Sequence, residues 1–380
     1  GSPLYSLLKN SDFDEEIDAK ITDSNIDIKR KVNENIFFDF LKKYIDDIKK
    51  TAKKIGLSAE ELTAMIDFKE NIVKEGNIAL YNKLIPYRLS GKGTRRLLSI
   101  AIQLELISEG GIVLIDEIEQ GLEPDRVKFL VKKLNELNTN GQVFITTHSS
   151  NVIEELYAEN IYLMRRNSKN LINFDNNFQS CLRSNPSSFF GKKIIVCEGK
   201  TEIGICRALN KFREKKNNLN FETIGVNIAD GIGSNLYLYS KKFKEAGFDV
   251  CILCDSDVND EDQKDELKSS GILIVDYDKG NSIEDQVFND LPWEKIKDLI
   301  ENIKSAKEES SDLLEQIKND TSENRKNLAK IAKDGKWFKR IDFGEILGQI
   351  WFDSLPELND TTLKTKYEKL NEWIDEWIDK

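Results

Sequence analysis

Three short acidic motifs follow predicted strands in the second half of the sequence. They are Glu198-x-x-x-Glu202, Asp255-x-Asp257 and Ser282-x-Glu284. Because the carboxyl ends of parallel strands meet at one edge of a sheet, we expect these motifs to converge there. Carboxylate and hydroxyl oxygens are ligands that Mg²⁺ and Mn²⁺ prefer, and clustered acids repel one another unless a cation lies between them. The sequence therefore predicts a divalent-metal site. The alternative is a set of solvated acids at strand ends.

A second pair of acids, Asp116 and Glu117, follows the apolar stretch Ile112–Ile115. Four apolar residues in a row predict a parallel strand that is buried on both faces. An Asp at the end of such a strand can hold Mg²⁺, and the Glu after it can activate a water against a γ-phosphate. This pair predicts half of a nucleotide-hydrolysing site.

Neighbouring segments strengthen that prediction. Upstream, the loop Ser90-Gly91-Lys92-Gly93 precedes a predicted helix, whose first backbone N–H groups can bind phosphate oxygens. Downstream, residues 121–125 follow the acids directly. His148, the single histidine of the chain, comes after the next predicted strand. It stands where a γ-phosphate sensor would lie, although a lone histidine after a strand is more often structural.

The elements that must position these residues alternate between strands and helices. A helix over 95–105, a strand over 112–115, a helix over 125–137 and a strand over 143–145 predict a βαβ unit. Beyond the linker, the predicted elements are strands at 193–197, near 221–228, at 250–254 and at 272–276, with helices at 201–212 and near 236–246. The predicted fold class is therefore α/β, with two parallel sheets.

The predicted organisation has five parts. They are a helical segment at 1–85, the second half of an ATPase domain at 86–166, a linker at 167–192, a second α/β domain with a helical insertion at 193–345, and C-terminal helices at 346–380. The helical spacing over 37–48 fits either a hairpin packed on itself or a dimerisation arm. All five Trp follow residue 292, which predicts a separate small core at the C-terminal end.

Composition excludes several classes of protein. The 56 basic and 67 acidic residues give a net charge of −11, so any surface for nucleic acid must be a local basic patch. One histidine makes a His-rich zinc site or a His-based triad improbable on composition. The five Cys lack disulfide-framework spacing, which favours a reducing cytosol. No apolar run reaches the roughly 18–20 residues of a membrane helix, and no signal peptide is predicted.

In order and spacing, the first set of motifs resembles the second half of an ABC-type ATPase head. The resemblance implies that Asp116 binds Mg²⁺, Glu117 is the general base, and Ser90 and Gly91 contact the γ-phosphate held by a partner subunit, which His148 senses. The signature loop departs from the family pattern at Lys92 and Gly93. No Walker A loop occurs; Gly199-Lys200-Thr201 lacks the glycine five residues earlier. Because the family places Walker A before the signature loop, we expect the missing half upstream of residue 1, which fits the Gly1-Ser2-Pro3 start. ATPase activity is then expected only in the full-length protein.

The acidic motifs resemble those of a TOPRIM domain, and Ser282-x-Glu284 resembles the third motif of the OLD (overcoming lysogenization defect) nucleases. That family, like the Gabija antiphage nuclease, joins an ABC-type ATPase head to a TOPRIM domain. The resemblance, over about residues 86–345, implies two Mg²⁺ or Mn²⁺ ions about 3.5–4 Å apart. It implies that Asp255 and Asp257 hold one ion. The other would be held by Glu198, Glu202, Ser282 and Glu284.

The same family uses a catalytic lysine some fifty residues past the third motif. Lys336, after Gly335, is the first choice and Lys339 the second, with charge stabilisation of the scissile phosphate as the role. Two other patterns are weak. Cys251-x-x-Cys254 places its side chains on opposite strand faces and fits the core, and Gly231-Ile232-Gly233 lacks the third glycine of a dinucleotide loop and fits a turn.

Together these resemblances imply a cytoplasmic, ATP-regulated DNA endonuclease of antiphage defence. The implied partners are DNA, further copies of the chain and, as in Gabija, a helicase-like protein; no membrane is implied. A non-catalytic ATP-sensing scaffold that regulates another effector is the main alternative. A strand-passage or primase enzyme is a second, although no segment resembles the catalytic Tyr domain that strand passage requires. The choice between nicking and double-strand cleavage stays open, as do the specificity for DNA, the trigger and the oligomeric state.

Overall fold

The structure is a computed structural model, which describes residues 38–67, 77–83, 85–106, 110–136, 141–164, 171–216, 218–256, 261–304 and 319–376. The chain divides into two compact units, Gly1–Leu156 and Tyr157–Lys380. Within these described ranges, we find no helix with the length and apolar character needed to cross a membrane.

Unit 1 combines helices with two small sheets. Its helices are α1 (Phe38–Lys54), α2 (Lys92–Leu106), α3 (Pro124–Glu136) and α4 (Ser150–Glu155). Its strands are β1 (Leu62–Asp67), β2 (Asn77–Asn82), β3 (Ile85–Pro86), β4 (Ile112–Ile115) and β5 (Gln142–Ile145). β1, β2 and β3 form an antiparallel sheet, and β4 pairs with β5 in parallel. The antiparallel hairpin differs from the helical prediction for 1–85. Leu62 and Ala64 alternate with exposed Thr63, which suits a half-buried strand.

The β4–β5 pair confirms the predicted parallel βαβ unit but differs from it in burial. Val113 and Ile115 lie in the core with Val127 and Leu130 of α3 and with residues of α2. The alternate side chains of β4 are open: Ile112 is 64% exposed and Leu114 is 71% exposed. The prediction of a strand buried on both faces was therefore wrong for this unit, because the described elements pack against only one face of the pair.

Unit 2 is built on a parallel sheet of four strands, in the order Leu273–Val275, Asp249–Leu253, Lys193–Cys197 and Val226–Asp230. Its strands are β6 (Tyr162–Leu163), β7 (Ile172–Asn173), β8 (Lys193–Cys197), β9 (Val226–Asp230), β10 (Asp249–Leu253) and β11 (Leu273–Val275). Its helices begin with α5 (Gln179–Ser184), α6 (Lys200–Lys215), α7 (Phe221–Ile224), α8 (Leu236–Glu245) and α9 (Glu261–Ser269). They continue with α10 (Ile283–Asp290), α11 (Trp293–Lys304), α12 (Ser322–Asp334), α13 (Ile341–Asp353) and α14 (Thr362–Asp375). The parallel α/β prediction is confirmed.

The central strand β8 is buried along its whole length, and α6 and α13 lie against each other beside it. Two glycines permit this close approach. A Cβ at Gly204 would lie 2.3 Å from the Ile341 carbonyl oxygen, and a Cβ at Gly344 would lie 2.4 Å from the Thr201 carbonyl oxygen. The contact fixes the first turns of both helices relative to each other.

The C-terminal helices do not form the separate core that the Trp positions predicted. Trp337, Trp351 and Trp373 lie in the same core cluster as Ile195 and Leu253 of the central strands. Trp377 lies outside the described residues. Trp351 and Trp373 lie on helices that cover the sheet, so the large apolar area of each ring is buried in the core that helices and sheet share.

Two buried cations attach the last helix to the sheet layer. Lys193 of β8 donates to the Trp373 carbonyl oxygen near the carboxyl end of α14, where backbone carbonyls favour positive charge. Arg213 of α6 is also buried, and its Nη2 lies 2.6 Å from Asp375 Oδ1. Residues 346–375 are thereby part of unit 2.

Residues 171–190, for which the sequence predicts a linker, are folded onto unit 2. Phe178 and Phe189 are buried, and both rings contact the ring of Phe243 of α8. The Asn and Ser content of this segment indicates a loop, but its phenylalanines supply enough apolar area to hold it in place.

Candidate functional site

The first two acidic motifs are joined at the carboxyl edge of the four-stranded sheet. The backbone N–H of Glu198 donates to the Leu253 carbonyl at 3.0 Å, so Glu198 continues the pairing of β8 with β10. In return, the backbone N–H of Asp255 donates to Glu198 Oε2 at 2.9 Å. The predicted convergence of these two motifs is thus present.

Glu202 lies one turn into α6, and its carboxylate accepts a hydrogen bond from the Gly199 N–H at 2.9 Å. Glu202 is only 4% exposed. Burial raises the pKa of Glu202 to about 7, the Glu198 charge adds to the rise, and the Lys339 charge opposes it. Burial therefore destabilises the ionised form of Glu202 more than the Gly199 hydrogen bond and the Lys339 charge stabilise it.

Asp255 connects the second motif to the third. Its Oδ1 accepts from the Ile283 N–H at 2.8 Å, at the first residue of α10, where a helix N-terminus favours negative charge. Burial nevertheless raises the pKa of Asp255 to about 8, and the charges of Glu202 and Glu198 raise it further. These acids share one site, and each makes ionisation of the next more costly.

Ser282 is buried and is the N-cap of α10. Its hydroxyl accepts from the Asp285 N–H at 3.4 Å, while Asp285 Oδ2 accepts from the Ser282 N–H at 3.0 Å. This reciprocal capping explains a serine at this position without a ligand role. Glu284, one residue into the helix from Ile283, is buried as well, so the helix start carries the third motif to the same sheet edge.

The acids fit a divalent cation by their chemistry. The donor atoms are carboxylate oxygens, and burial and the neighbouring acids raise the pKa values of Glu202 and Asp255, so a divalent cation would stabilise their ionised forms. Asp257 lies outside the described residues. Over the ranges that the structure describes, no three His, Cys, Asp or Glu side chains already stand in a metal-holding arrangement.

The segment that carries both candidate lysines packs on the first turn of α6. Thr201 Oγ1 donates to the Phe338 carbonyl at 2.6 Å, one residue from Glu202. Lys339 follows Phe338 directly, and its charge is the one that lowers the pKa of Glu202. Lys336 is exposed and adopts a left-handed backbone with φ of 50°.

Sequence reasoning missed two lysines that support the acidic site. Lys264 is buried, and its Nζ donates to the Asp255 carbonyl at 3.2 Å and to Asp276 Oδ2 at 3.3 Å. Lys333 lies 2.5 Å from Asp285 Oδ2 and so contacts the cap of α10. Neither lysine belongs to a recognisable motif, and only the pairing seen in three dimensions identifies them.

In unit 1, Asp116 and Glu117 follow β4 as predicted. Asp116 Oδ1 accepts from Thr146 Oγ1 at 2.5 Å, and the Glu117 N–H donates to the same hydroxyl at 2.9 Å. Glu117 has a φ of 45°, a strained backbone conformation for a residue with a side chain. Strain of this kind is concentrated at functional sites, although it does not by itself identify one.

The neighbouring segments lie against these acids. Arg96 of α2 donates to the backbone carbonyls of Asp116 and Glu117. Ser90 and Gly91 precede Lys92, the first residue of α2. A Cβ at Gly93 would lie 2.6 Å from the Gly121 carbonyl oxygen, so this departure from the family signature lies at a close backbone contact.

His148 is held through its backbone. Glu119 Oε1 accepts from the His148 N–H at 2.7 Å, and Glu119 Oε2 accepts from Thr147 Oγ1 at 2.8 Å. Glu119 and Arg96 were not among the predicted site residues, because each lies between the motifs rather than in them. The structure brings the Asp116 pair, the signature loop and the His148 strand together within unit 1.

The elevated pKa values predict how stability depends on pH. Unfolded Asp and Glu ionise near pH 4, whereas the pKa is about 8 for folded, metal-free Asp255 and about 7 for Glu202. The folded state therefore binds more protons between these limits, and the free energy of unfolding falls as pH rises through them, by about 1.4 kcal/mol per unit of pKa elevation. Urea unfolding in EDTA between about pH 5 and about pH 8 measures this loss. For Asp255→Asn, which cannot ionise at this position, the free energy of unfolding should depend less steeply on pH. An equally steep dependence would contradict the raised pKa of Asp255.

Two family models match the chain. Residues 2–154 match the model described as AAA domain, putative AbiEii toxin, Type IV TA system. Residues 189–257 match the model described as overcoming lysogenization defect protein-like, TOPRIM domain.

Individual relatives are more distant or shorter matches. The chain is 31% identical over 111 residues to the energy-coupling factor transporter ATP-binding protein EcfA of Methanococcus maripaludis, a match over 29% of this chain and 37% of that protein. The chain thus spans little more than a third of that curated relative. Among solved structures, the C-terminal region of the Burkholderia pseudomallei OLD protein gives a TM-score of 0.28 at 17% identity, over 49% of this chain and 97% of that one. A structure of SMC ATPases gives 0.26 at 14% identity, over 36% and 89%.

Proposed function

We propose that this chain, in which an AAA/ABC-type ATPase domain precedes an OLD-like TOPRIM domain, is a divalent-metal-dependent DNA endonuclease under the control of its ATPase domain. Both domain types were predicted from their motifs, and both are confirmed. A nuclease-type function is what an OLD-like TOPRIM domain supports. DNA as the substrate, metal dependence and a role in antiphage defence are our proposal.

One observation carries the proposal: hydrogen bonds from backbone N–H groups to carboxylates connect all three acidic motifs at one sheet edge. The Asp255 N–H donates to Glu198, and Asp255 accepts from the N–H of Ile283, between Ser282 and Glu284. Solvated acids at strand ends, the alternative, would be exposed and would ionise normally. Glu202 and Glu284 are instead buried, and the pKa values of Glu202 and Asp255 are raised.

In the proposed site, Asp255 and Asp257 hold one ion. Glu198, Glu202, Ser282 and Glu284 surround the other, and the capping role of Ser282 makes it the least supported of these ligands. When bound, Mg²⁺ or Mn²⁺ supplies Lewis-acid stabilisation of the phosphodiester and a hydroxide at neutral pH. The protein's own residues orient this site: Gly199 and Ile283 hold two carboxylates, and Lys264 holds the Asp255 backbone.

A lysine completes the proposed machinery by stabilising charge on the scissile phosphate. Lys336 was the first choice from sequence. We favour Lys339, because the carbonyl of its neighbour Phe338 accepts a hydrogen bond from Thr201 of the same helix turn as Glu202. The charge of Lys339 also lowers the pKa of Glu202.

For the ATPase domain we propose that Asp116 binds Mg²⁺ and Glu117 acts as general base. Ser90 and Gly91, beside Lys92 and Gly93, would contact the γ-phosphate held by a partner subunit that supplies a Walker A loop. His148 would sense that phosphate from a position that Glu119 fixes. ATP hydrolysis, homo-oligomer formation, a helicase-like partner and a cytoplasmic location belong to this proposal for the full-length protein.

Cleavage of supercoiled plasmid tests the function. We expect the wild-type chain to convert the plasmid to nicked or linear DNA in Mn²⁺ and to leave it intact in EDTA. Asp255→Asn, which keeps the shape of the side chain but loses its charge, should be inactive. Nicked circles alone would indicate single-strand cleavage. Equal cleavage by the wild type and the variant would contradict the proposal, and a protein that binds metal and DNA without cleaving would favour the scaffold alternative.

A further inference from the structure

We propose that Ile232 contacts the DNA strand at the cleavage site, through the base or deoxyribose next to the scissile phosphate. This inference rests on the proposed nuclease function and adds a substrate-binding residue to the same site. It concerns the turn formed by Gly231, Ile232 and Gly233, which has no role in the proposed metal site.

The turn lies directly beside Glu198. It follows β9, which pairs with β8 and ends at the same sheet edge where the acids converge. The Gly231 N–H donates to the Cys197 carbonyl at 2.7 Å, and the Gly233 N–H donates to the Glu198 carbonyl at 3.0 Å. Ile232 lies between these two glycines in the sequence. Its backbone is therefore held beside that of Glu198, a proposed metal ligand.

Ile232 has a strained backbone. Its φ is 48°, in the left-handed region that a β-branched side chain strongly disfavours. Gly231 is explained by space, since a Cβ there would lie 2.8 Å from the Cys197 carbonyl oxygen, and Gly233 has a φ of 56°. Glycine would be the low-energy choice at position 232 for the same conformational reason, yet the chain carries isoleucine.

Packing of the side chain does not offset this strain. Ile232 is 46% exposed, so much of its apolar surface stays in water. The conformation is instead held by its neighbours: the Ile232 N–H donates to Asp230 Oδ1 at 2.9 Å, and Asp230 also forms an ion pair with Lys200. A strained, exposed residue that its surroundings hold in place is the kind of outlier from which a functional role is inferred.

The chemistry of the side chain identifies what it contacts. Phosphate oxygens are attracted to cations, whereas the faces of bases and deoxyriboses offer the apolar surface that Ile can cover. Beside a site that holds the phosphodiester through metal ions, an exposed isoleucine therefore complements the uncharged part of the flanking nucleotide. An unstacked nucleotide, as in single-stranded DNA, offers this surface most readily.

The variant Ile232→Gly separates a contact with substrate from a structural role. Glycine accepts φ of 48°, so the variant should fold with an unchanged or higher Tm. We expect its Kd for a single-stranded oligonucleotide, measured by fluorescence anisotropy in Ca²⁺, to rise about fivefold, the effect of no longer covering the exposed half of an isoleucine side chain. Asp360→Gly is the matched control, because Asp360 is also exposed with a φ of 51° and lies before α14. Its Tm should respond in the same way, with the Kd unchanged.

An unchanged Kd for Ile232→Gly would overturn the inference, and so would an equal rise for Asp360→Gly. A wild-type chain that binds the oligonucleotide but fails to cleave plasmid in Mn²⁺ would contradict the nuclease proposal alone, and the ratio of Kd values would still decide the Ile232 contact. A wild-type chain that binds no DNA would overturn both.

Discussion

Glu198→Ala is expected to lower the rate of DNA cleavage by more than about 10³-fold. This exceeds the fall of about 10²–10³-fold in rate that loss of a single charge-stabilising donor causes. The reason is that Glu198 has two roles. Its carboxylate is a proposed metal ligand, and Glu198 Oε2 also accepts from the backbone of Asp255. Removal of the side chain therefore weakens the metal site and releases the second acidic motif. The rate of Mn²⁺-dependent plasmid cleavage and a Mn²⁺ titration of the same preparation measure the two effects.

Glu301→Ala is the control for this variant, because Glu301 is an exposed acid on α11. It should retain both activity and metal stoichiometry. Cleavage by Glu198→Ala at a rate near that of the wild type would contradict the nuclease assignment. Loss of cleavage with full metal binding would instead place Glu198 outside the metal shell.

Lys339→Ala is expected to slow cleavage by about 10²–10³-fold while metal and DNA binding largely survive. A lysine that stabilises charge in the transition state contributes to the rate rather than to binding of the ions. Lys339 is the better placed of the two candidates, since its charge acts on the buried carboxyl of Glu202 and lowers the pKa of that group. Single-turnover cleavage and a Mn²⁺ titration of Lys339→Ala and Lys336→Ala compare the candidates directly.

Lys336→Ala should cleave at nearly the wild-type rate. Lys336 has a left-handed backbone, so Lys336→Gly is a useful companion that removes the side chain and relieves the backbone conformation. A slow Lys336→Ala beside a normal Lys339→Ala would restore the choice made from sequence and contradict the one made from the structure.

The sequence predicted the parts of unit 2 that follow from local pattern. Apolar stretches that end in acids predicted strands β8 and β10 and placed Glu198 and Asp255 at the same sheet edge. Glu202 could be placed on α6 because four residues correspond to about one helical turn. Periodicity and strand order therefore predict which carboxylates meet, but not how each is held.

The remainder depends on partners far apart in the chain. Lys333 and Asp285 are 48 residues apart, and no local pattern indicates that they pair. The capping role of Ser282 could have been found from Asp285, three residues later, because this spacing is typical of a capping box. The close contact of α6 with α13 could not, since Gly204 and Gly344 are explained only when both helices are seen together.

Burial was the least predictable property. The four apolar residues of β4 predict a strand covered on both faces, whereas Ile112 and Leu114 are exposed in unit 1. The opposite holds at residues 171–190, where polar composition predicts a linker but Phe174, Phe178 and Phe189 are buried. In both segments the outcome depends on which other element lies alongside, and sequence composition does not contain that information.

A crystal structure of the protein with Mn²⁺ tests the central claim most directly, because manganese can be located by its anomalous scattering. The account predicts Mn²⁺ at the carboxyl edge of the four-stranded sheet, bound by Glu198, Asp255 and the other acids of the three motifs. Two ions are expected once a phosphodiester is present. The same acids without bound manganese at millimolar Mn²⁺, in a preparation that cleaves DNA, would contradict the claim and place the chemistry elsewhere in the chain.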